Sequence, residues 1–114
     1  MTATEVNGLE AALRAALSSE VRFDAYSRHL YSTDASLYAI EPIGVVFPRD
    51  ADEVAAVVEI AARFGVPVLP RGAGTSLAGQ TVGRAVVLDF SRHMHTIVAL
   101  DPEAQTARVQ PGVV

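Results

Sequence analysis

The feature that most limits what this chain can fold into is an eleven-residue run, Pro70-Arg71-Gly72-Ala73-Gly74-Thr75-Ser76-Leu77-Ala78-Gly79-Gln80, placed directly after the apolar Val66-Pro67-Val68-Leu69. Glycines at 72, 74 and 79 disfavour a helix and give a strand nothing to pack, so the run is a loop. Without Cβ atoms, these positions accept positive φ and let the backbone itself approach a ligand. Successive N–H groups in such a turn form a concave anion site, and the Thr75 and Ser76 hydroxyls add donors without adding charge. A lone Gly-x-Gly would be a tight connector and no more. Three glycines, two hydroxyls, an Arg and a Gln in one loop point instead to phosphate.

Of two familiar phosphate motifs, the residues reject the first and leave the second a weak reading. Gly74 and Gly79 have the spacing of a nucleotide-triphosphate loop, but Gln80 and Thr81 stand where Lys and Ser/Thr are required. The dinucleotide fingerprint needs Gly or Ala at Leu77 and a helix behind it, and Gly79 and Gly83 disfavour that helix.

The flanking segments alternate in type. Val6, Leu9, Leu13, Ala16 and Leu17 share one face of a helix over Glu5–Leu17, with Thr2 and Glu5 at capping-box spacing. A short helix is expected near Asp24–His29, then an irregular stretch. Gly44–Phe47 is a buried strand stopped by Pro48. Asp50 caps the next helix with Glu53 completing a capping box, Val54, Val57, Val58 and Ala61 form its apolar stripe, and Gly65 ends it. Val66–Leu69 is a second strand, so strand, helix and strand make a parallel βαβ unit. Ala85–Leu88 is a third buried strand. Thr96–Leu100 and Gln105–Gln110 flank the turn Asp101-Pro102-Glu103-Ala104, and the second of them alternates like a half-buried antiparallel strand. The expected fold class is α+β: a small α/β subdomain leading into an antiparallel sheet. The sequence stops at Pro111-Gly112-Val113-Val114 with no further strand to pair the last one, which leads us to expect an incomplete, truncated domain with an open sheet edge.

Composition narrows the function. A net charge of −4, with nine Arg and no Lys scattered along the 114 residues, argues against a nucleic-acid partner. The absence of Cys excludes disulfides and thiolate-held metals within the segment and suits a cytoplasmic protein. No apolar run approaches a membrane span, and Glu5 and Glu10 stand where a secretory leader would be basic and then apolar.

The stretch from Gly44 to Val114, GVVFPRDADEV…PVLPRGAGTSLAGQ…VVLDFSRHMHTI…ARVQPGVV, resembles the FAD-binding domain of the p-cresol methylhydroxylase/vanillyl-alcohol oxidase (PCMH) type. Within that superfamily it is most similar to the glycolate oxidase subunit and D-lactate dehydrogenase group. The lead-in YSRHLYSTDASLYAIEP resembles the corresponding part of large fused FAD/iron-sulfur oxidoreductases. The resemblance implies a lead-in at 1–43 and the first part of the FAD domain at 44–114, with FAD lying between two subdomains. Carried over by residue, Pro70, Arg71, Gly72, Ala73, Gly74, Thr75 and Ser76 match the pyrophosphate loop. Gly79 and Gln80 match its continuation, and Pro111, Gly112 and Val113 match a second flavin-contacting stretch. Relatives with covalent flavin carry a His about where Thr75 stands, which implies a non-covalent FAD. His95 stands where relatives often have Asn.

The implied function is the FAD-binding part of a flavin-dependent oxidoreductase acting on a small 2-hydroxy acid of the D-lactate or glycolate type, with its electron acceptor unassigned. The alternative is a truncated, non-catalytic piece that holds flavin weakly or complements another half. No catalytic residue is expected in this chain, since no nucleophile–base set is visible and the family's reacting groups come from later in sequence. His93-x-His95 lacks a third ligand, so no metal is expected. Asp34 is expected to cap a turn and Asp89 to be a satisfied structural carboxylate. Tyr26, Tyr31 and Tyr38 are expected to pack the lead-in.

Overall fold

A computed structural model describes residues 1–114. The first helix, α1 (Ala3–Ala16), begins with the expected capping box: the Glu5 N–H donates to Thr2 Oγ1 at 3.2 Å, and Glu5 Oε2 accepts from the Thr2 N–H at 2.5 Å. Leu9 and Leu13 are fully buried, whereas Ala16 is exposed. A two-residue strand, β1 (Val21–Arg22), follows; it is too short to leave a period in the sequence. Asp24 then caps α2 (Ala25–Leu30) by accepting from the Ser27 N–H at 2.9 Å.

Next come β2 (Gly44–Val46), α3 (Ala51–Arg63), β3 (Val68–Arg71) and β4 (Val86–Asp89). Asp50 caps α3 as expected, but the capping box is incomplete. Glu53 accepts from the Arg49 N–H and the Ser18 hydroxyl instead of the Asp50 N–H, because α1's exit brings Ser18 within 2.8 Å of that carboxylate. The buried stripe is also rotated from expectation, with Val57, Ile60 and Ala61 inside and Val58 half exposed. Gly65, at φ +65°, ends the helix. Its N–H bonds Ala62 O and the Val66 N–H bonds Ala61 O, the paired closure of a Schellman motif. That closure uses the Val66 N–H, and Pro67 has none, so β3 begins two residues later than the apolar run suggests.

The sheet order is β1-β2-β4-β3, with β2, β4 and β3 mutually parallel and β1 antiparallel at one edge. The strand–helix–strand unit is therefore split, with β4 lying between β2 and β3. β4 takes a central position and is buried along its whole length, while Pro70 sits in the edge strand β3, where a missing N–H costs least. Side chains alternate across the sheet. Val46, Val86 and Leu88 meet the helical face formed by Leu9, Leu13, Val57 and Ile60, and Val45, Val87 and Phe47 meet Tyr31 and Leu69 on the other face.

A hairpin of β5 (Ile97–Asp101) and β6 (Thr106–Val109) completes the chain as a separate antiparallel pair. Asp101 Oδ1 accepts from the Glu103 and Ala104 N–H groups, and Gln105 takes φ +55° in the turn. The expected half-burial of this strand pair is not found. Every residue of both strands is exposed, including Ile97, Val98, Leu100 and Val109, because no element of the chain packs on either face.

Candidate functional site

β3 and β4 run parallel and in register, so their carboxyl ends, Arg71 and Asp89, lie side by side at one edge of the sheet. That edge is where open α/β sheets receive ligands. The glycine loop leaves from it, anchored at its start by the Phe90 N–H donating to Arg71 O at 3.0 Å. Beyond the anchor, the N–H groups of Gly72, Ala73, Gly74, Thr75 and Ser76 have no acceptor in the chain. All five residues are half-buried or exposed. Five consecutive unengaged donors, on a stretch with no acidic side chain, can accept an anion by backbone hydrogen bonds alone.

The glycines serve different ends. Gly74 and Gly79 adopt φ +70° and +81°. A Cβ at Gly74 would lie 2.6 Å from Arg71 Nη2, and one at Gly79 would lie 2.6 Å from the Tyr38 ring, so both positions face inward onto their supports. Gly72 needs no positive φ, and a Cβ there would meet only Pro111 O, at 3.8 Å. It lies beside the end of the chain. That end is fixed by Gly112, whose N–H donates to Met94 O at 2.8 Å and whose missing Cβ would lie 2.3 Å from Phe90 O. The two separate stretches, 70–76 and 111–113, thus come together at the carboxyl edge of β4.

Not all of the loop's polar groups face outward. Ser76 Oγ bonds Gln80 Oε1, the Ala78 N–H donates to the same Oε1, and the Gln80 N–H reaches Ser76 Oγ at 3.4 Å, so Ser76 and Gln80 close the loop on itself. The Thr75 hydroxyl has no partner in the chain. The Arg71 guanidinium turns inward, donating to Thr33 O at 2.8 Å and Thr81 O at 3.2 Å and lying over the Tyr31 ring at 5.1 Å.

Sequence reasoning missed the role of the segment before β2. Asp34 does cap a local turn, accepting from the Ser36 N–H at 2.8 Å, but it also accepts from Thr81 Oγ1 at 2.8 Å. Hydrogen bonds from Ser36, and then from Thr81, hold its carboxyl down at about 2. The Ala35 N–H donates to Gly74 O at 3.0 Å. The Ser-Thr-Asp-Ala-Ser composition signalled a turn; nothing in it signalled a partner more than forty residues away.

Asp89 is satisfied as expected, accepting from the Ser91 N–H and hydroxyl and from the Tyr31 hydroxyl at 2.5 Å. Burial, and then the bond to Asp89, push the Tyr31 phenol well above its usual value. Tyr26 and Tyr38 are mostly exposed, so only Tyr31 packs inward as expected. No group of three His, Cys, Asp or Glu lies close enough to hold a metal, and His93 and His95 remain outside the loop. The largest hollow, about 710 Å³, is elsewhere, between the exit of α1 and β1; its Arg14 and Arg22 pair with Glu10 and Glu20.

Comparison with known proteins shows the family of the chain. The family described as "FAD binding domain" matches residues 42–114, well over half of the chain and inclusive of both stretches of the site. The chain belongs to this FAD-binding family. It is 38% identical over 109 residues to D-2-hydroxyglutarate dehydrogenase of Pseudomonas putida, a match covering 93% of this chain and 11% of that protein. It is 42% identical over 90 residues to glycolate oxidase subunit GlcD of Bacillus subtilis, covering 76% of this chain and 19% of the relative. Among solved structures, p-cresol methylhydroxylase with substrate bound superposes with a TM-score of 0.78 at 25% identity, over 99% of this chain and 23% of that one. The 4-ethylphenol oxidase of Gulosibacter chungangensis shares the fold, with a TM-score of 0.79 at 20% identity over the same shares. The chain therefore spans less than a fifth of the curated relatives named here and about a quarter of the structures. Its fold is the PCMH-type FAD-binding fold, its cofactor is FAD, and the chain corresponds to the FAD-binding domain of FAD-linked oxidases. No helix is long and apolar enough to cross a membrane.

Proposed function

We propose that this chain holds FAD non-covalently through residues 70–76, with Gly79, Gln80, Pro111, Gly112 and Val113, as the cofactor-binding part of an oxidoreductase for small 2-hydroxy acids. The observation that carries the reading is the run of five N–H groups, from Gly72 to Ser76, that find no acceptor within the chain. Those donors suit a diphosphate, which needs several hydrogen bonds converging on it and no bulky side chain between. The loop's free Thr75 hydroxyl adds one more donor. No His lies in the loop, which supports non-covalent attachment. When bound, FAD supplies a ring able to accept a hydride; the chain's part is to bind and orient it. The substrate class rests on the relatives, whose names share a 2-hydroxy acid: D-2-hydroxyglutarate, glycolate and D-lactate. We further propose the division into a lead-in at 1–43 and an FAD-binding unit at 44–114, and a cytoplasmic location, which the lack of Cys favours.

The exposed β5–β6 hairpin favours a second reading, that the isolated chain lacks one wall of its cradle and binds flavin weakly or only as a complementing half. Titrating the 114-residue chain into FAD, followed by flavin fluorescence and competed with ADP, separates the two. Micromolar binding, about −8 kcal/mol, marks a sufficient half-site, and weaker saturable binding supports the second reading. Complete indifference to both FAD and ADP would overturn the loop assignment.

A further inference from the structure

We propose that Arg71 and Asp34 are positioning residues for the diphosphate loop: two ionised side chains that fasten its ends to the irregular segment before β2. In this way its N–H groups stand ready before a ligand arrives. The inference rests on the reading of residues 70–76 as the FAD site and deepens it.

An Arg beside a phosphate loop would ordinarily be assigned to the phosphate. Here its donors are spent otherwise. One Nη donates to Thr33 O, before β2, and the other to Thr81 O, just past the loop, while the guanidinium plane rests over Tyr31. A planar fork can bridge two carbonyls on different segments; an ammonium, with one point of charge, cannot hold both in the same geometry. Asp34 grips the same far end from the other side through Thr81 Oγ1, and its other oxygen fixes the Ser36 N–H. Between these anchors the Ala35 N–H holds Gly74 O, and the Tyr38 ring lies under Gly79. Segment 33–38 therefore touches the loop at its beginning, middle and end, and engages carbonyls and side chains while leaving the N–H groups of 72–76 free. A loop held in its binding shape beforehand loses less entropy on binding. The segment that looks like a mere connector to β2 is thus part of the binding device.

The test compares wild type with Arg71→Met, Arg71→Lys and Asp34→Ala in two independent measurements. The first is backbone ¹⁵N relaxation of residues 72–76 without flavin. We expect ordered amides in wild type and increased motion in Arg71→Met and Asp34→Ala, with the β3–β4 amides unchanged. The second is the preference for FAD over riboflavin, which lacks the diphosphate. We expect that preference to fall about tenfold or more in both variants, the scale of one lost charge-assisted hydrogen bond, while riboflavin binding stays the same. Arg71→Lys should remain impaired. If Lys restores the full preference, charge rather than the fork matters and the proposal fails; it fails equally if loop amides in both truncations stay as ordered as in wild type. Should Arg71→Met unfold, Asp34→Ala decides. A wild type that binds no FAD sinks the flavin reading alone, since the relaxation experiment still judges the fastening.

Discussion

Replacing Gly72 by Ala gives the sharpest test of where the diphosphate lies, because it separates binding from folding. Gly72 has no positive φ, and an added Cβ would have only Pro111 O near it, at 3.8 Å, an ordinary van der Waals contact. The substitution is therefore free of strain in the folded chain. By restricting the unfolded chain it should raise stability by about 0.4–1 kcal/mol. The methyl group nevertheless adds bulk beside the loop's unengaged N–H groups. If the diphosphate passes there, the overlap should cost about 1–3 kcal/mol, the usual scale of an added methyl in a filled space, or roughly 5- to 150-fold in affinity. Thermal unfolding without ligand and fluorescence titration with FAD measure the two effects on one sample. Gly74→Ala behaves differently: its Cβ would press on the Arg71 guanidinium at 2.6 Å in a left-handed backbone, so it damages the loop's support along with binding. A Gly72→Ala chain that binds FAD as wild type does would refute the placement of the diphosphate against the loop backbone at Gly72.

The other expectations concern the supports. Gly112→Ala should destabilise the fold by about 2–4 kcal/mol, from overpacking and a strained hydrogen bond. Its Cβ would lie 2.3 Å and 2.7 Å from two backbone carbonyls that cannot swing aside, and thermal unfolding should show a correspondingly lower Tm. Asp34, held at about 2 against an ordinary 3.8, contributes stability that is present above the ordinary value and lost as pH falls through the lower one. A carboxyl NMR titration should show the depressed midpoint, and Asp34→Asn should flatten the acid limb of loop stability. Tyr31, shifted upward by burial and by Asp89, contributes in the opposite sense: its stabilisation is complete below the ordinary value of 10.0 and fades as pH climbs toward the raised one. Tyr31→Phe should abolish the late rise in tyrosinate absorbance and weaken the alkaline loss of stability.

What could be read from the sequence was local, and what could not was long-range. Caps at Thr2 and Asp50 and the helix end at Gly65 depend on residues within one or two turns, and each formed where its chemistry indicated. The glycine loop was legible for the same reason, since its donors are its own backbone. The sheet order was not. Apolar runs state that β2, β3 and β4 are strands, but only packing decides that β4 enters between the other two, which brings the exits of β3 and β4 together and with them Gly72 and Phe90. Arg71 was legible as a loop residue, yet the direction of its guanidinium depends on carbonyls at Thr33 and Thr81 that carry no sequence identity.

That last dependence bears on the proposed FAD site, in which a loop without a Lys and without a following helix would serve a doubly charged ligand. A nucleotide-triphosphate loop adds the positive charge of a side chain and a helix dipole to its amides. Here one cation lies beneath the loop instead of beside the ligand, and a carboxylate secures the far end. Binding then depends on backbone donors held in shape by their surroundings. The residues most sensitive to substitution are therefore expected to be those that shape the loop, together with the glycine that leaves its backbone bare, more than any single side chain touching FAD.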